Sequence, residues 1–233
     1  MNVNREHKIL WWAPERCGTK ALANIFSKLG FEFYPAIELY GKNVKGLYQS
    51  HNIDILDEFS DYKIIFSTRN PYDRVLSLFS NFTNVGKNTL FTKDGQSNFI
   101  HKYEIFLKEL FDVTDKEQNK PVLNNYILKY SFETKVPDMI VRMESMIEDL
   151  SKIEFVKNSE LWRSGYIHDY LIDNEHIVKR PYTFNSVYTR LGAKLVYEHH
   201  IKHFILSGYD PFSFTTELLS NKEKMDFIHD NLQ

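Results

Sequence analysis

Apolar residues along this chain come as short β-prone runs, each followed by a stripe at helical spacing. Lys8-Ile9-Leu10-Trp11-Trp12-Ala13 predicts a first strand. Pro14 to Lys20 is then a turn, and Ala21, Leu22, Ile25, Phe26 and Leu29 mark a helix that Gly30 stops. Phe31 to Ile37 predicts a second strand. Gly46 to His51 predicts another, running into a short amphipathic helix through Ile53, Ile55, Leu56 and Phe59. Ile64, Ile65 and Phe66 read as a buried parallel strand. Asn70-Pro71 breaks it, and Val75, Leu76, Leu78, Phe79 and Phe82 return to helical spacing.

The second half is less regular. Asn84 to Asn98 is polar and predicts a long loop, suited to a lid. A helix is expected over Phe99 to Phe111 and a surface loop over Asp112 to Pro121, while Val122 to Tyr130 fits a helix or a strand. Met139 to Glu144 predicts a strand and Ser145 to Phe155 a helix; Lys157 to Arg180 is polar and without clear class. A helix over Val187 to Phe204 would turn Leu191, Leu195 and Val196 inward, and a last amphipathic helix follows Thr216. No repeat or linker divides the chain, so one domain over residues 1–233 is expected, of the α/β class.

Composition narrows the function classes. The formal net charge of −2 provides no global attraction for nucleic acid. A single cysteine, Cys17, precludes an intramolecular disulfide and fits a reducing, cytoplasmic setting. The apolar run from Ile9 to Ala13 is far too short for a signal or membrane segment.

Two strand–helix junctions carry the candidate chemistry. The first, Arg16-Cys17-Gly18-Thr19-Lys20, combines cations, a hydroxyl and a glycine with a helix N-terminus, a combination suited to an anion. It is not a Walker A loop, which needs a second glycine and Lys followed by Ser or Thr. The second sets Arg69, Arg74 and Ser77 at or just after the end of a strand, where open α/β sheets bind ligands.

The second junction, Arg-x-Pro-x-x-Arg-x-x-Ser, resembles the 3′-phosphate motif of sulfotransferases that use 3′-phosphoadenosine 5′-phosphosulfate (PAPS). The first resembles their 5′-phosphosulfate loop, with three departures: Arg16 for the usual Lys, Cys17 for a hydroxyl residue, and Lys20 for Ser or Thr. The segment Phe204 to Asp210 is similar to the family's closing segment. The resemblance implies a three-layer α/β/α fold with a mostly parallel central sheet, related to P-loop kinases. It implies that Arg69 and Ser77 hold the 3′-phosphate and that Arg16, Cys17, Gly18, Thr19 and Lys20 hold the phosphosulfate. Arg180, with Lys179, falls where relatives carry a clamping basic segment. His51 matches the catalytic His of the uronyl 2-O type and is the candidate general base, with Arg16 and Lys20 as charge-neutralising catalytic groups. The implied reaction is sulfuryl transfer to a hydroxyl of a carbohydrate or small molecule, releasing adenosine 3′,5′-bisphosphate and needing no metal. A P-loop nucleotide kinase and a non-catalytic nucleotide-binding protein are the alternatives.

Two further features have plainer readings. Glu144 would cap the following helix rather than orient a loop. His199, His200 and His203 read as a solvated helix face, since no zinc signature accompanies them.

Overall fold

A computed structural model describes residues 2–14, 16–33, 59–83, 93–111, 136–175 and 184–229. Two compact units emerge: Met1–Asn70 with Asn125–Lys179, and Pro71–Asn124 with Arg180–Gln233.

The first unit is an α/β assembly. Its strands are β1 (Asn2–Asn4), β2 (Ile9–Trp12), β3 (Glu32–Phe33), β4 (Lys63–Thr68) and β5 (Met139–Arg142). They form one sheet in the order β3-β1-β2-β4-β5. The parallel character expected of the sheet holds for β2, β4 and β5, while β1 and β3 add an antiparallel edge. The polar Asn-Val-Asn sequence concealed β1: only Val3 is apolar, yet Asn4 is buried because its amide donates to Leu29 O at 3.0 Å and its Oδ1 accepts from His7 N–H.

Strand alternation splits β2 between two clusters. Ile9, Trp11 and Ala13 join Ile65, Val141 and the helices on one side, while Leu10 meets Val3, Phe59 and Ile64 on the other. Trp11 also donates its indole N–H to Ser67 Oγ at 2.7 Å, which satisfies both buried groups. Helix α1 (Thr19–Lys28) buries Leu22, Ile25 and Phe26. It ends in a Schellman closure: Gly30, at φ 82°, donates to Ser27 O, Phe31 donates to Phe26 O at 2.9 Å, and the two Phe rings meet at 4.8 Å.

After β5 the chain takes one 3₁₀ turn, Met143–Ser145. The helix expected over Ser145 to Phe155 is instead two pieces, α4 (Met146–Ser151) and α5 (Glu154–Lys157), with buried Ile153 between them. The polar stretch that followed holds α6 (Glu160–Arg163), capped by Ser159 Oγ, and α7 (Tyr166–Glu175). Its few apolar residues suffice, since Ile167 and Leu171 sit one turn apart in the core.

The second unit contains α2 (Pro71–Thr83), α3 (Lys93–Phe111), α8 (Arg190–Ser207) and α9 (Asn221–His229). Pro71 opens α2 at the first helical position, as expected. Helix α3 begins at Lys93 rather than Phe99, so the polar residues 93–98 are helical and only 84–92 of the anticipated lid lie outside the described residues. Phe79 packs against Phe99, Tyr103 and Phe106. Of the inward positions expected on α8, Val196 is buried and Leu191 is exposed; Ala193, His200, His203, Phe204 and Ser207 are buried as well.

Candidate functional site

The loop between β2 and α1 departs from ordinary backbone geometry. Arg16 has φ 67°, a left-handed conformation that costs a side-chain-bearing residue about 1–2 kcal/mol. Gly18 follows at φ 74° and is the N-cap of α1, where it offers no side-chain oxygen to the first-turn N–H groups. A Cβ at Gly18 would come within 3.2 Å of Met146 Cε and 3.3 Å of Met143 Sδ, so the loop backbone rests directly on the turn after β5. Arg16, Gly18 and Thr19 are half-buried and Lys20 is exposed. Cys17 is different: its side chain is fully buried, and its N–H donates to Pro14 O at 3.3 Å.

The neighbouring parallel strand β4 ends beside this loop. Arg69, one residue past its end, donates from Nη1 to Arg16 O at 3.3 Å. The two loops singled out by sequence are therefore joined by a hydrogen bond at the carboxyl edge of the sheet. Asn70, 6% exposed, donates its N–H to Glu144 Oε1 at 2.9 Å. Glu144 thus orients the Arg69–Asn70 turn, contrary to the capping role expected of it; the short helix α4 has no side-chain cap. Thr68, the last residue of β4, has a buried hydroxyl without a hydrogen-bond partner among the described residues.

The turn after β5 is itself tightly held. Asp149 accepts from Arg142 N–H at 2.9 Å, from Arg142 Nε and Nη2 at 2.9 and 2.8 Å, and from Ser145 Oγ at 2.9 Å. Burial pushes the Asp149 carboxyl up, but the Arg142 guanidinium and amide, with Ser145, outweigh it and hold the group at about 2.

Ser77 lies in the second unit, buried in α2. Arg74, 1% exposed, lies near the buried histidines of α8. The expected solvated histidine face is therefore corrected for two of the three: His200 and His203 are 3% and 5% exposed. Among the described residues no group of three His, Cys, Asp or Glu could hold a metal. His51, Lys179 and Arg180 lie outside the described residues. Sequence reasoning missed Thr68, Met143 and Met146; a hydroxyl ending a strand and two methionines flanking Glu144 were the only signals.

An open cleft elsewhere in the first unit, lined by Glu6, His7, Lys28, Glu154 and Phe155, includes none of the predicted site residues. No described helix is long and apolar enough to cross a membrane. No protein-family model, no curated protein and no solved structure matches the chain.

Proposed function

We propose that this protein is a sulfotransferase of the P-loop-like α/β type, moving a sulfuryl group from PAPS to a hydroxyl of a carbohydrate or small molecule. The observation that carries the reading is the hydrogen bond from Arg69 at the end of β4 to the Arg16 carbonyl in the left-handed loop after β2. It supports one anion site drawing on both of these loops. In this reading Arg69 takes the 3′-phosphate, and Arg16, Lys20, Thr19 and the first-turn amides of α1 take the 5′ end, while Ser77 enters through the motif resemblance alone. Gly18 admits the close backbone approach such a group needs. Because the Cys17 thiol is buried, its part in this loop is to anchor the turn.

When bound, PAPS supplies the activated sulfuryl group. Arg16 and Lys20 neutralise negative charge as it builds on the leaving oxygen, an electrostatic role that matters most in the transition state. His51 takes the acceptor proton, and Arg180 adds the clamping cation that the resemblance implies. The protein's own cations replace a metal in this scheme. Incubating the protein with PAPS and a panel of hydroxyl acceptors tests the reading. Adenosine 3′,5′-bisphosphate should appear in step with a sulfated acceptor, and chelator should leave the rate unchanged. ATP turnover that requires Mg²⁺, without PAPS turnover, would move the protein to the kinase reading.

A further inference from the structure

We infer that Glu144 is a positioning residue for the nucleotide site and that the turn Met143–Met146 braces both phosphate-facing loops at once; the inference rests on the proposed function. Two contacts bind the loops to this turn and a third binds the loops to each other, all within the first unit. The Met143 and Met146 side chains sit under Gly18, leaving no room for a Cβ there without displacing them. The Glu144 carboxylate accepts the buried Asn70 N–H at 2.9 Å. Arg69, the preceding residue, reaches back to Arg16 O and closes the ring.

The ring has a rigid base. Asp149 grips the backbone N–H and guanidinium of Arg142 immediately before the turn, and Ser145 within it, so the position of Glu144 is set by β5 and α4 together. A carboxylate facing a site built for phosphates is unfavourable by charge alone. Its place there makes physical sense if it serves as a hydrogen-bond acceptor: without it the Asn70 N–H would lose its partner and the Arg69 turn would gain freedom. The value of Glu144 to ligand binding is then geometric, since Arg69 is held in place before the phosphate arrives. An amide oxygen at the same position can accept the same N–H, which separates positioning from proton transfer.

Glu144→Ala and Glu144→Gln test the inference. In the unliganded protein, exchange of the Asn70 amide should accelerate about ten-fold in Glu144→Ala, the loss of one hydrogen bond to a charged acceptor, and return to near wild type in Glu144→Gln. Calorimetry with adenosine 3′,5′-bisphosphate should follow the same order, with Glu144→Ala about ten-fold weaker and Glu144→Gln equal to wild type or tighter. PAPS turnover at saturation should survive in Glu144→Gln. Unchanged exchange and affinity in Glu144→Ala would overturn the inference. So would Glu144→Gln losing turnover while keeping affinity, because Glu144 would then act as a base. Failure of the wild type to bind the bisphosphate would count against the proposed function instead, and amide exchange would still decide whether Glu144 braces the turn.

Discussion

Arg16 tolerates its left-handed backbone because the loop around it is held from three sides: by Cys17 in the core, by Arg69 on its carbonyl and by Met143 and Met146 beneath Gly18. The residue types here were legible in the sequence. Cations, a hydroxyl and a glycine ahead of a helix are a combination suited to an anion. The contacts were not legible, because Glu144 lies 74 positions from its partner Asn70. At this scale the expectation concerns Arg69 and Ser77. Replacing either by Ala should weaken binding of adenosine 3′,5′-bisphosphate by about 1.5–3 kcal/mol, the usual cost of a lost hydrogen bond to a charged group. Titration calorimetry on both variants checks it, and wild-type affinity in both would remove these residues from the site.

Among the elements, α8 shows most clearly where periodicity misleads. Leu191, Leu195 and Val196 are the apolar choices for its inner face; Val196 is buried, yet Leu191 is 43% exposed and the polar His200 and His203 are buried. The helix kinks at His200 (φ −125°), and the ring Nδ1–H donates to Val196 O at 3.0 Å. That bond fixes the tautomer and leaves Nε2 as a buried acceptor with no partner among the described residues. Burial first, and the Arg74 charge second, push His203 down to about 3 and His200 well below its ordinary value. The surrounding charged or titratable groups are Arg74 from α2, and His199 and His203 on α8; Phe111 of α3 packs edge-on to His200. Both folded pKa values lie below the unfolded value of 6.5. Their stabilisation is therefore complete above pH 6.5 and is lost as pH falls below it, for His203 towards 3. Each histidine should contribute a slope of about 1.4 kcal/mol per pH unit within that window. Urea midpoints measured from about pH 7 to about pH 5 should drop accordingly. His203→Phe should flatten the fall, and a pH-independent midpoint would refute the assignment.

For the whole chain, the α/β class and the strand–loop–helix units at both motifs could be read directly, since β2–α1 and β4–α2 carry strong apolar runs. The antiparallel edge, the broken helix after β5 and the helices of 160–175 could not, because their apolar residues are few and act through distant partners. The general base proposed at His51 belongs to this scale too. His51→Ala should slow turnover by about 10²–10⁴-fold with bisphosphate affinity nearly unchanged, because a base contacts the acceptor and not the nucleotide. Steady-state rates paired with calorimetry check this, and full activity in the variant would remove His51 from the role.

Binding of adenosine 3′,5′-bisphosphate to the unmodified protein, set beside ATP with Mg²⁺ in the same calorimeter, tests most directly that the joined loops form a nucleotide 3′,5′-phosphate site. The expected result is saturable binding of the bisphosphate with one site per chain, insensitive to chelator, and far weaker binding of ATP. Tight, Mg²⁺-dependent ATP binding with no heat from the bisphosphate would contradict it.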